Sequence, residues 1–272
     1  MKKSLPILML FFICFSFVAC EKVIELDLAD SESVIVIEAT ITNNKIPFKV
    51  LVSKTTSYFG EETDNPVSGA TVSVRAVDGE PRYFEETEPG VYKLEKMMAL
   101  TNHWYIVDVE YEGLTYSARS FMNEPVKIVD FGISYFEGYG ILDSGYKVSC
   151  YLRDPANIEN YYRLKYYVNG NMNSDQGNIC VYTDKLFDGM AIGLSLPTDV
   201  SQTNDTLIIE LQSIDKAAYD YFATLESISG LEIVQSASPT NPNSNFNNGA
   251  LGYFSAYSFD QRKLVIKDYI VE

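Results

Sequence analysis

The chain has a single histidine, His103, and four cysteines, at positions 14, 20, 150 and 180. A Ser-His-Asp arrangement would therefore have only one residue available as base. The nucleophile is missing as well: the nearest approach to a G-x-S-x-G elbow, Gly193-Leu194-Ser195-Leu196-Pro197, lacks its final Gly. His103 stands between Asn102 and Trp104 at the start of an expected strand and reads as a surface or turn histidine. Cys150 and Cys180 lie far apart, with no C-x-x-C and no second His, so they do not make a zinc set. There is no D-x-D-x-D-G calcium loop, and the carboxylates are too scattered to locate an acid/base pair for glycoside chemistry. The expectation is no catalytic residue, no metal and no cofactor: a non-enzyme, with a surface hydrolase ranked behind two binding or structural readings.

Two segments have the composition of a binding surface. In YYRLKYYV (161–168), strand alternation puts Tyr162, Leu164, Tyr166 and Val168 on one face and Tyr161, Arg163, Lys165 and Tyr167 on the other. The first face is expected in the core. The second is either a stacking platform for a sugar or peptide, or a set of cross-strand pairs covered by Lys and Arg stems. The loop from Ser238 to Gly252 carries Asn241, Asn243, Asn245, Asn247 and Asn248 among Pro and Gly residues. Loops of this length in compact domains are functional or disordered more often than plain connections. It is expected either to bind a partner or to cover the sheet ends, its amides satisfying turn backbone.

Residues 1–19 read as a signal peptide: Lys2 and Lys3 precede an apolar run from Leu5 to Ala19 that is short for a membrane span. Phe17-Val18-Ala19-Cys20 resembles a bacterial lipobox, with Phe where Leu is usual, so Cys20 is the expected lipidation site and 20–33 an acidic tether. Several acyl chains on one Cys would make the attachment to the membrane effectively permanent. Cys14 leaves with the signal. Cys150 and Cys180 then form either a disulfide or two buried free thiols. A simple meander of their strands would hold them about 9.5 Å apart, beyond disulfide reach. Asp and Glu number 37 against 21 Lys and Arg, a net charge of -16 that repels phosphate backbones and argues against nucleic acid as partner.

These residues must be held by strands. Period-two alternation at 34–39 and 48–53, turn signals at Asp64-Asn65-Pro66, Asp78-Gly79 and Glu112-Gly113, and further extended runs give about seven strands up to Phe121. Met122-Asn123-Glu124-Pro125 breaks the pattern and reads as a joint. Beyond it, strands are expected at 128–135, 145–153, 161–168, 178–183, 205–213, 253–258 and 263–271. One helix is expected at about 215–229, with Asp215 capping it and Gly230 ending it. The fold class is therefore mainly β, with two β-sandwich-like domains, 34–123 and 124–272, the second carrying the helix.

Pro66 to Val74, Gly90 to Leu94 and Trp104 to Val109 resemble the transthyretin-like sandwich of carboxypeptidase regulatory domains. The stretch from Ser238 to Ser258, together with the lipobox, Val34 to Thr42, and Ser213-Ile214-Asp215 with Tyr219 and Tyr221, resembles the Bacteroidota lipoprotein family called domain of unknown function 4249. Phe246 departs from the aliphatic residue expected at its place in that family. This resemblance implies an outer-membrane-associated lipoprotein, often encoded beside a TonB-dependent receptor; the expectation drawn from it is an accessory or ligand-binding partner of such a receptor, on the cell-surface or the periplasmic face. The rival reading is an independent adhesin or structural surface protein. The resemblance implies no catalytic residues, and Asp205-Thr206-Leu207 matches the short O-glycosylation signal of that phylum, at Thr206.

Overall fold

Apolar and polar residues alternate along most strands, and burial follows. In β1 (Ile35–Thr42), Ile35, Ile37, Ala39 and Ile41 point into a core while Val36, Glu38 and Thr40 point away from it. The computed structural model describes residues 33–44, 47–56, 65–95, 97–140, 142–172, 179–196, 200–228 and 241–269. The signal peptide, Cys20, nearly all of the tether, Gly230 and the beginning of the Asn-rich loop lie outside them.

After β1 come β2 (Phe48–Lys54), β3 (Thr71–Ala76), β4 (Arg82–Tyr83), β5 (Glu85–Glu88), β6 (Val91–Leu94), β7 (His103–Tyr111) and β8 (Leu114–Met122). Past the joint follow β9 (Ile128–Phe136), β10 (Gly145–Arg153), β11 (Tyr161–Val168), β12 (Asn171–Met172), β13 (Val181–Thr183), β14 (Ala191–Ser195) and β15 (Thr206–Ile214). The helix α1 (Lys216–Ile228) and the long strand β16 (Leu251–Val265) complete the order. The protein is mainly β, with one α-helix among the described residues. Strands β10 and β11 have the expected bounds, whereas β12 and β14 were not foreseen.

Three sheets are built from these strands. The largest runs β12-β11-β15-β16-β1-β2-β6-β5, with β13 also paired to β11. A four-stranded sheet, β4-β3-β7-β8, shares one apolar core with the β1, β2 and β6 end of the large sheet. A three-stranded sheet, β14-β10-β9, shares a second core with β11 and β15. The joint at 123–124 thus separates two cores, but one sheet runs through both, and Ser33–Glu272 is one compact unit.

Strand β16 makes this continuity possible. Its first half pairs parallel with β1, from Val36 opposite Leu251 to Thr42 opposite Tyr257. Its second half pairs antiparallel with β15, from Ser213 opposite Ser258 to Thr206 opposite Val265. The strand expected at 253–258 and the start of the one expected at 263–271 are therefore one; Ile266–Tyr269 is a 3-10 turn instead of strand, and 270–271 lie outside the described residues. The polar run Phe259-Asp260-Gln261-Arg262 stays extended because β15 pairs it along its length. Phe246, Ala250, Phe254 and Ala256 belong to the first core, so the C-terminal chain completes the N-terminal sandwich.

Helix α1 packs against β11, β13 and β16, with Ala218 beside Ile214 at the end of β15. Asp215 caps it as expected, accepting a hydrogen bond from Ala218 N at 2.9 Å. Burial along β15 is continuous from Ile209 to Ile214, so both of its faces are covered there.

Candidate functional site

The joint between the two cores is the place where most polar chemistry gathers. Its chain is stitched down rather than hinged. Asn123 Nδ2 donates to Ile214 O (2.8 Å), Val126 N to Ser213 Oγ (3.2 Å) and Ile128 N to Asp260 Oδ2 (3.0 Å). Lys127 Nζ pairs with Asp260 Oδ1 at 2.9 Å, and Glu124 accepts from Thr101 Oγ1 and Asn102 Nδ2, each at 2.7 Å. Deeper in, Asp215 Oδ2 accepts from Ser120 Oγ (2.7 Å) and Phe121 N (3.0 Å), and Ser120 Oγ in turn accepts from Ala256 N (2.8 Å). Backbone groups freed by the break in β pairing are satisfied by side chains from β15, β16 and the helix cap.

Above this seam lies an open groove of about 650 Å³, lined among others by Phe121, Pro125, Val129, Asp154 and Ile158. At its edge Asp154, Asp184 and Asp188 bring carboxylate oxygens within 4.8 Å of one another, the first two buried and the third exposed. Asp154 accepts from the Tyr162 hydroxyl and from Gly189 N (2.9 Å), Asp184 from Asn160 N (2.7 Å) and Asp188 from Asn157 N (2.8 Å). Three oxygen donors of like charge have the chemistry of a hard-cation site. Each also does structural work by holding loop backbone. Burial first, then the Asp154 and Asp188 charges, hold the Asp184 carboxyl above its ordinary range, although the Asn160 bond acts the other way.

A carboxylate whose folded pKa is raised regains stability as pH falls through that value. Asp188→Asn, which keeps an oxygen for Asn157 N, is therefore expected to raise the melting temperature by ~1–2 °C at neutral pH. The gain should fade in acid, once Asp184 is protonated in wild type. Thermal melts across pH check this; a pH-independent difference would refute the electrostatic origin. The sequence spacing did not flag this cluster, because Asp154 reaches the other two through the pairing of β10 with β14 and of β11 with β13. Its one local signal is the Asp184/Asp188 spacing, which says nothing of the third member.

The expected site residues fall as follows. Cys150 and Cys180 are both buried and free, so the disulfide alternative is not the one adopted. They are not on the outer strands of a meander: β10 lies in the three-stranded sheet, while Cys180 leads into β13, which pairs with β11 in the large sheet. Burial pushes the Cys150 thiol up to about 12 and the Cys180 thiol up to about 11, so neither is poised as a nucleophile. His103 is exposed, its Nδ1 2.7 Å from Thr101 O. Thr206 opens β15 half-buried, its backbone N–H held by Asn169 Oδ1 at 3.0 Å.

The outward face of β11 is no open platform. Tyr161 packs on Tyr219 of α1 (ring centroids 5.0 Å), and the buried Arg163 guanidinium lies 3.7 Å from the centroid of Phe222. At Tyr161 and Arg163 the covered alternative holds because α1 docks there, while Lys165 and Tyr167 are half-buried.

The Asn-rich loop divides in two. Asn241 and Asn243 are exposed. Asn245 Nδ2 donates to Phe254 O (2.8 Å) while its Oδ1 accepts from Phe254 N (2.9 Å). Asn247 Oδ1 accepts from Ser117 N (2.7 Å), and Asn248 Nδ2 donates to Thr115 O (2.8 Å). The loop thus covers the open edge of β8, which among the described residues pairs with β7 alone. Asn245, Asn247 and Asn248 bond backbone of β8 and β16, as the covering alternative expects, while Asn247 and Asn248 stay exposed. Asn245→Ala leaves both backbone groups of Phe254 without that partner and is expected to cost about 1–3 kcal/mol, read as a shift of the urea midpoint at unchanged slope.

Continuous sheet, twin cores and stitched joint define a mainly β protein in which two sandwiches are fused through one strand. The chain belongs to the family described as Domain of unknown function (DUF4249), whose model matches residues 21–263. No curated protein matches it.

Proposed function

We propose that the chain is a lipid-anchored, non-enzymatic protein of the outer membrane that serves a TonB-dependent receptor as an accessory, docking on it or presenting ligand to it. The observation that carries this reading is the stitched joint: a body whose two halves share a sheet and whose linker is bonded at Asn123, Val126 and Ile128 presents its surfaces in a fixed relation. Fixed presentation suits docking and scaffolding. The apolar run ending at Ala19-Cys20 is what supports the proposed location.

The test is a pull-down of tagged protein from detergent-solubilised outer membrane. A receptor is expected to co-purify with wild type, and Cys20→Ser is expected to leave the membrane fraction and lose the acyl mass. Membrane partition of Cys20→Ser with no acyl mass difference from wild type would remove the anchor from the proposal. Reproducible isolation of the wild-type protein alone would leave the independent adhesin as the better reading.

A further inference from the structure

The groove above the joint leaves apolar side chains in water. Val129 is 60% exposed and Ile158 59% exposed, and with Phe121, Pro125 and Pro155 they line an opening to which both sandwiches contribute. Its walls are set before anything binds. Val129 O accepts from Arg262 Nη1 at 3.4 Å, and Asn160 Nδ2 donates to Pro155 O (3.2 Å) and Ile158 O (2.9 Å). Val129 itself stands where β9 bulges: Tyr151 pairs with Asp130 and Leu152 with Ile128, so Val129 has no opposite residue on β10. Exposed apolar surface rimmed by polar groups marks a place of contact, and fixed walls lower the ordering cost of making one.

Charge narrows what can occupy the groove. Four charged residues line it, two of each sign: Glu124, Lys127, Arg153 and Asp154. Two of them are already answered. Lys127 Nζ pairs with Asp260 at 2.9 Å, and the buried Asp154 carboxylate accepts from the Tyr162 hydroxyl and from Gly189 N. Asp184 and Asp188 lie at the edge, bonded to Asn160 N and Asn157 N, and do not line it. The remaining two are different. Among the described residues neither Glu124 nor Arg153 belongs to an ion pair, and both are exposed. Glu124 accepts from Thr101 and Asn102 on Oε1 alone. The groove thus holds one anion and one cation that do not meet within the chain. Each is the partner the other lacks, so the surface is complementary to itself.

Elsewhere the surface resists association of two copies, since each carries a net charge of -16. At physiological salt charges act over only about 8 Å, so copies can approach where the local charge is balanced, as it is along this lining. We propose that the groove is the contact of a symmetric dimer: a second copy of this chain covers Val129 and Ile158, while Arg153 of each copy meets Glu124 of the other. A two-fold axis makes that contact twice, as an isologous interface requires. The proposal does not rest on the receptor reading, because the dimer needs no other protein.

The test is sedimentation equilibrium of the full mature chain carrying Cys20→Ser, which removes the proposed lipid and with it the need for detergent. This reference protein should show a reversible dimer in the micromolar range. Val129→Asp, which sets a charge among the apolar side chains, should weaken the dimer about tenfold or more. Glu124→Arg and Arg153→Glu should each weaken it about tenfold, because like charges then meet at both contacts. Mixed in equal amounts, these two charge variants should form a heterodimer at least as tight as the reference dimer. One copy then brings two cations and the other two anions, so both contacts join opposite charges. That recovery is specific to a second copy as occupant. Melting temperatures within about 2 °C of the reference show that each variant is folded. The proposal is overturned if the reference protein stays monomeric up to about 300 µM, an outcome that leaves the groove to a different protein. It is equally overturned if folded Val129→Asp dimerises like the reference, or if mixing the charge variants yields no more dimer than either alone. Receptor co-purification is a separate readout, so failure of the dimer and failure of the receptor partnership give different results.

Discussion

Gly252→Ala is expected to destabilise the protein by more than about 3 kcal/mol, the range of a severe core defect, although it adds a single methyl group. Gly252 has φ +93° and pairs with Ile37 where β16 first meets β1. Its added Cβ would stand 2.1 Å from Ile37 O and 2.7 Å from Ile37 C, both backbone atoms that no rotamer change can move. Relief requires parting β1 from β16, and Ile37 is fully buried in the first core. Gly113→Ala is the control: its φ is +80°, but nothing lies within 4 Å of the new Cβ. It should cost only the conformational penalty, roughly 1–2 kcal/mol. Urea titrations of the two variants separate strain from collision. Equal midpoints would mean that β1 and β16 do not approach as described.

The second large effect is expected at Asp215. Asp215→Ala removes at once the acceptor of Ala218 N at the helix start and the acceptor of Ser120 Oγ and Phe121 N on β8. Loss of a cap costs about 1 kcal/mol and each buried donor left unsatisfied about 1–3, so a total of about 3–5 kcal/mol is expected. Burial, the largest influence, raises the Asp215 carboxyl above its ordinary range against the lowering effect of the Ala218, Ser120 and Phe121 bonds. The folded state thus holds this proton more tightly than the unfolded chain. The contribution is fully present below the ordinary carboxylate pKa and diminishes as pH rises through the folded value. The stability gap between wild type and Asp215→Ala should accordingly narrow from acid towards neutral pH, as measured by denaturant titrations at several pH values. A gap that widens over that range would sink the argument. Limited proteolysis within 216–228 would report the loosened helix independently.

What was legible in the sequence was local. Alternation in GYKVSCYLR and YYRLKYYV gives β10 and β11 their bounds, because each buries one face in the second core. Asp215 announces the helix because its carboxylate must answer a free N–H three residues on. What was hidden depends on partners distant in the chain. Nothing near Leu251 signals a parallel neighbour at Val36, and nothing near Asn247 signals that its acceptor duty lies at Ser117. The density of Asn could be seen, but the edge it covers could not. Tyr161 and Arg163 were placed on the right face, yet only the docking of α1 decides whether that face is open.

The place of β1 has a mechanical consequence. It lies between β2 and β16 in the middle of the large sheet, and the chain enters it through Ser33 from the N-terminal side. A pull on that end acts along the strand, so its hydrogen bonds to both neighbours share the load in shear instead of opening one after another like a zipper. A strand pulled from a sheet edge would peel; this one is gripped from both sides. Under the proposed anchoring at Cys20, tension would reach the body through a strand held on both sides.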